Sequence, residues 1–194
     1  MEDFWFYTKL GLDHVLDPNA YDHILFLMAL ALPFSFKSWK KVLVLATVFT
    51  ISHCTSLALS SYELLEVEVV WIEFLIPVTI VMTAVFNLLY IQTNAQNDTI
   101  GLHVLATTFF GLIHGFGFSN YFKMLVADQD AKLSPLLGFA LGIEISQVIV
   151  VLGVLMVSFV LTSYTSIKQS LFTKIASVLI FFATLPMLID TFPL

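Results

Sequence analysis

Seven side chains in this sequence have the types and spacing to act together on a cation: His14, Asp22, His23, His53, Glu73, His114 and Glu144. Imidazole and carboxylate groups in combination suit Ni²⁺, Co²⁺, Zn²⁺ or Fe²⁺, whereas Cu⁺ favours sulfur. The single cysteine, Cys54, excludes a disulfide framework and a cysteine-rich zinc site. Any metal must therefore be held by nitrogen and oxygen. The stretch GLDHVLDPNAYDHILFLMALAL, residues 11–32, places His14, Asp22 and His23 directly before and just inside an apolar run. Ionisable groups at such places are costly and usually mark a site or a pathway.

Each residue also has an ordinary explanation when taken alone. His14 reads as a surface histidine in a loop. Asp22 reads as a favourable charge at a helix N-terminus. His23 points about 100° away from Asp22 on a helix, so one of the pair could support the other rather than bind. His53 and His114 could be neutral core histidines, Glu73 an interfacial carboxylate and His103 a non-ligand near a helix end. Glu144, deep in an apolar segment, is the hardest to explain away. Their joint occurrence at one depth is what favours a shared site.

The elements that must position these groups are membrane helices. Of 194 residues, 59% are hydrophobic and 11% charged, well under the roughly 25% charged of a soluble domain. Six spans of about the length a bilayer needs are expected at 22–36, 42–60, 70–91, 101–124, 135–161 and 172–190. The predicted fold class is an all-α integral membrane protein, six transmembrane helices in one bundle, or seven with an interfacial N-terminal helix. Residues 1–21, with Trp5 and Tyr7, form the outward-facing interfacial segment, and 22–194 the polytopic domain. No secretory signal precedes the first apolar run. All eight basic residues are lysine and the net charge is −6, so a nucleic-acid partner is excluded. Lys37, Lys40, Lys41, Lys168 and Lys174 fall to one side, Lys9, Lys123 and Lys132 to the other. The positive-inside rule then puts both termini on the periplasmic side of a bacterial inner membrane, where Glu63, Glu66, Glu68, Asp128 and Asp130 also fall. The Asn97-Asp98-Thr99 sequon lies on the predicted cytoplasmic side and is discounted.

With this orientation, five helices each bring an imidazole or carboxylate into the outer half of the bundle. Thr50, His53, Ser56 and Ser60 form one polar stripe, and Glu73, Ile80, Ala84 and Asn87 share another face, with a kink expected at Pro77. Glu144 and Gln147 are i, i+3 neighbours. His103, Thr107, Gly111 and His114 line one face and would make a stepwise ion path towards the inner end. Gly111/Gly115 and Gly138/Gly142 match G-x-x-x-G, and close packing of the fourth and fifth spans would bring His114 to Glu144.

The sequence resembles the HupE/UreJ family, membrane proteins linked to hydrogenase and urease maturation and described as nickel or cobalt permeases. GLDHVLDPNAYDHILFL matches the family pattern at Gly11, His14, Asp22 and His23, although the stretch between His14 and Asp22 is longer than the family's common spacing. FTISHCTSLAL matches at His53, with Cys54 in place of serine. IEFLIPVTIVMTAVFNL resembles the family segment at Glu73, Thr79 and Asn87, GLIHGFGFS at His114, and FALGIEISQ at Glu144 and Gln147. The blocks occur in the family's order over roughly residues 11–150.

The first functional reading is inner-membrane transport of a divalent transition-metal ion, nickel, cobalt or similar. His14, Asp22, His23, His53, His114 and Glu144 would be ligands, and Glu73, Ser56, Asn87, His103, Thr107 and Gln147 would line the path or support the ligands. Ligands must be deprotonated to bind, so uptake should weaken at acid pH. The alternative is an intramembrane zinc or iron metalloenzyme acting on a lipid or exported peptide, with Glu144 or Glu73 as general base. A third is a non-catalytic subunit or sensor. The expected partners are the metal ion and the lipid bilayer; a homo-oligomer or a further membrane partner stays open.

Overall fold

The computed structural model describes residues 2–90, 100–127, 129 and 131–193. Asp128, Asp130 and the sequon at Asn97 lie outside the described residues. Among these residues the chain forms seven α-helices and no strand: α1 (Glu2–Leu16), α2 (Asp22–Ala31), α3 (Trp39–Ser61), α4 (Val69–Tyr90), α5 (Ile100–Leu125), α6 (Leu133–Tyr164) and α7 (Gln169–Asp190). A single 3-10 turn, Phe36–Ser38, leads into α3. Five helices, α3 to α7, are long and apolar enough to cross a membrane.

The expected first span over 22–36 is corrected. Only ten residues of it are helical, a rise of about 15 Å against a hydrocarbon core of about 30 Å. Proline sets both limits. Pro33 has no N–H to give the Ala29 carbonyl, which accepts from the Asn87 side chain instead. Upstream, Pro18 and Asn19 break the chain, and the Asp17 carboxylate accepts the Asn19 backbone N–H at 2.8 Å in an Asx turn.

The two short helices nevertheless act as one column. The Tyr7 hydroxyl donates to Leu125 O at 3.0 Å. Further along, the His14 ring lies 4.1 Å from Phe118, His23 lies 5.2 Å from His114, Phe26 lies 6.0 Å from Phe110 and Phe34 lies 5.5 Å from His103. As the chain advances from 7 to 34, its partner on α5 retreats from 125 to 103. So α1 and α2 together run antiparallel to α5 over nearly its full length, with the break at 17–21 beside residues 114–118. Irregular backbone at that depth is tolerated only inside protein or beside a cavity.

The long helices form a closed ring in the order α3, α5, α4, α7, α6 and back to α3, and α2 sits inside it against α3, α4, α6 and α7. Phe26, Leu27, Ala29, Leu30 and Ala31 are accordingly buried. An enclosed helix end must find partners for its free carbonyls, and neighbouring side chains supply them. The Asn87 amide donates to Ala29 O at 2.7 Å, the Thr173 hydroxyl to Leu32 O at 2.8 Å and the Gln169 amide to the same oxygen at 3.2 Å.

Glycine permits the two closest helix contacts. A Cβ on Gly115 would strike the Ser56 hydroxyl and the His53 carbonyl of α3, and one on Gly111 would come within 2.8 Å of Phe49 O. On α6, a Cβ at Gly142 would strike Thr8 O and one at Gly138 would lie 2.6 Å from Phe4 O, both on α1. The glycines therefore pack α5 on α3 and α6 on α1. The expected close α5–α6 backbone packing is not found among the described residues; those helices meet through longer side chains, Phe118 and Phe122 of α5 lying 5.2 Å from Phe139 of α6. Both termini lie at one end of the bundle, where Phe192 meets Phe74 of α4 and Lys123 pairs with Glu63 and Glu66 at 3.1 and 3.4 Å.

Candidate metal centre

The break between α1 and α2 brings three helices' histidines to one point. His14 comes from the last turn of α1, His23 from the first turn of α2 and His53 from α3. Each offers a ring nitrogen, and the three nitrogens lie within 4.8 Å of one another. His114 of α5 completes the group, its ring 5.2 Å from His23. The rings of His14 and His23 are 4.6 Å apart, and those of His23 and His53 are 5.6 Å apart.

Hydrogen bonds orient two of the four. His114 Nδ1 lies 2.9 Å from Phe110 O, so the Nδ1–H donates and Nε2 keeps its lone pair. His23 Nδ1 lies 3.3 Å from the Asp22 carboxylate, which leaves Nε2 free in the same way. A carboxylate or carbonyl that holds one ring nitrogen fixes the tautomer and raises the ligand strength of the other. Among the described residues, five nitrogens then remain buried without a partner: Nε2 of His14, His23 and His114, and both nitrogens of His53.

This donor set fits a divalent transition metal. Buried polar groups normally carry hydrogen bonds, and each orphan costs about 1–3 kcal/mol. One ion with metal–nitrogen bonds of about 2.0–2.1 Å would satisfy several at once, with the rings drawn in around it. Thioether and thiolate are absent from the group, which disfavours Cu⁺.

A cavity of about 360 Å³ leads to the site, lined by His14, Asp22, His23 and His114 and, nearer its mouth, by Asp13, Asp17 and Tyr121. Asp13 and Asp17 stand in the same stretch that supplied His14, and their spacing from it, one residue before and three after, was the available signal. Asp22 is thus both a partner of His23 and a wall of the cavity. Phe118 and Phe139 stack at 5.2 Å and flank His14. Phe26 and Phe49, 4.9 Å apart, close the site below.

The remaining sequence-predicted residues stand elsewhere. Glu144 is half-buried in the seam between α3 and α6, where its two oxygens accept from the Thr47 and Thr50 hydroxyls at 2.6 Å each. Gln147 is buried beside it and accepts from Thr50 at 3.2 Å. On α6, Glu144 lies about 200° around the helix from Gly142, the face that meets α1, and its carboxylate is turned to α3. Glu73 is exposed, because its neighbour Ile72 takes the face towards Gly117. Ser56 donates to its own helix, to His53 O at 2.9 Å, at the tight contact with Gly115. Asn87 holds α2. His103 and Thr107 line a second, largely apolar cavity of about 200 Å³, shared with Asn87, Phe26 and Phe110.

A family model described as HupE / UreJ protein matches residues 1–190. No curated protein and no solved structure matches the chain.

Proposed function

Because the chain belongs to the HupE/UreJ family, we propose that it carries a divalent transition-metal ion, nickel or cobalt, across the bacterial inner membrane. The observation that carries this reading is the set of five orphaned imidazole nitrogens on four converging histidines. The ion enters from the end that bears both termini. Asp13 and Asp17 raise its concentration at the cavity mouth. His14, His23, His53 and His114 replace its water, with Asp22 neutralising part of its charge. The orientation follows from lysine: five of eight lie at the opposite end, which the positive-inside rule makes cytoplasmic.

The test is uptake of ⁶³Ni²⁺ into sealed vesicles containing the purified protein, beside elemental analysis of the protein itself. Wild-type protein accumulates the ion, and His23→Ala does so at a background rate. Equal uptake by the two proteins overturns the reading.

The aromatic floor beneath the site also suits a second reading, an intramembrane metalloenzyme whose resident metal never passes through. That alternative predicts stoichiometric metal that survives chelation, no vesicle uptake, and hydrolysis of a lipid or peptide.

A further inference from the structure

The imidazole site is open above and shut below. Phe26 of α2 and Phe49 of α3 are wholly buried, and Phe110 of α5 nearly so. Phe49 lies 5.2 Å from His114 and 6.0 Å from both His23 and His53. Phe26 lies 5.3 Å from His114, 4.9 Å from Phe49 and 6.0 Å from Phe110. The three rings form a plug under the metal ligands. A ring of phenyl groups excludes water and blocks a cation without any covalent barrier.

Directly under the plug lies the second cavity, about 200 Å³, whose walls include Phe26 and Phe110 but not Phe49. Protein interiors are close-packed, so a buried ring turns only where space exists to receive it. A void of about 150 Å³ is enough to hold a benzene molecule. The cavity here is larger and adjoins two of the three plug rings; it is not sealed, since exposed Met82 of α4 and Leu102 of α5 stand on its walls. Its other walls include Asn87, His103 and Thr107, polar groups on the far side of the rings from the site.

The geometry points to Phe26 and Phe110 as the movable leaves of an inner gate, which swing into the void beneath them and connect the imidazole site to the opposite end of the bundle. Phe49, packed against three of the histidines and absent from the void, is the fixed stop. The backbone need not shift. The Ala29 carbonyl stays bonded to Asn87 at 2.7 Å, and the His114 bond to Phe110 uses the backbone oxygen at 2.9 Å, so either ring can rotate while the helix and the ligand stay in place. This gate rests on the transport reading, because only a cargo that leaves downward needs one.

The test reads access to the site rather than flux. Wild-type protein is oriented in sealed vesicles of either sidedness and loaded with ⁶³Ni²⁺, and a membrane-impermeant chelator, EDTA, is added outside. Stripping from the terminus end is expected to be fast and stripping from the other end slow. Phe26→Ala removes a leaf and speeds stripping from the far end by about tenfold. Ala106 also lines the void, and Ala106→Leu fills it and slows that stripping by about tenfold, leaving Ni²⁺ affinity and stripping from the terminus end unchanged. The two variants move the same rate in opposite directions, which misfolding does not imitate. Wild-type rates from the far end in Ala106→Leu, with Ni²⁺ still bound, overturn the gate and leave the site standing. A wild-type protein that retains no Ni²⁺ overturns the site and the gate with it.

Discussion

His14, His23 and His53 bring ring nitrogens within 4.8 Å of one another in the core, and His114 stands beside them, its ring 5.2 Å from His23. His23, His53 and His114 are buried, and His14 is half-buried with its Nε2 enclosed. Orphaned nitrogens cost the apo protein stability, so a bound ion should stabilise it. At free Ni²⁺ about 100-fold above its dissociation constant, the gain is about 2.7 kcal/mol. Thermal unfolding in detergent should therefore shift upward with Ni²⁺ in the wild type and not in His23→Ala or His53→Ala. Glu144→Gln should keep the shift, because Glu144 bonds to Thr47 and Thr50 and not to the histidines. Loss of the shift in that variant would return Glu144 to the ligand set. Protons compete with the ion for each imidazole. Taking the pH down from neutral into the acid range should weaken Ni²⁺ binding, and raising it again should restore it. Equilibrium dialysis across that range reads the effect directly.

At the scale of the helix, the contacts that align the histidines are glycine contacts. Gly115 lets α5 approach the His53 carbonyl so closely that no side chain fits between. Gly115→Ala must push α3 and α5 apart and displace His53 from His114. Its effect should be lost Ni²⁺ retention together with a lower melting temperature, at a cost of about 1–3 kcal/mol for overpacking. Gly153, also in a helix, has nothing within 4 Å of an added Cβ. Gly153→Ala should be neutral or stabilising by up to about 1 kcal/mol. Much of this architecture was legible beforehand. The apolar lengths of α3 to α7 announced themselves, and so did the common depth of His23, His53 and His114. What one sequence cannot state is which neighbour each face meets. Gly138 and Gly142 signalled a close approach but not that α1 would make it, and with α1 on that face Glu144 necessarily turns away. The α2 segment misled for a related reason. A short helix enclosed on every side is as uniformly apolar as one that crosses a bilayer, and only Pro18 and Pro33 hinted at its true length.

For the whole molecule, the ends differ in charge. Lys37, Lys40, Lys41, Lys168 and Lys174 stand at the end away from the termini. On the transport reading that end faces the cytoplasm, and a thiol reagent that cannot cross membranes should label Lys168→Cys only in inverted vesicles, in a background of Cys54→Ser. Labelling from the opposite side would reverse the direction of transport. The enclosed position of α2 has a further consequence, for how the chain is made. Its ten residues emerge from the ribosome early, yet the donors that receive its carbonyls, Asn87, Gln169 and Thr173, are translated much later. An early segment is thus fully seated only late, and a nascent chain halted before α7 leaves the Leu32 carbonyl at the end of α2 without its two side-chain donors.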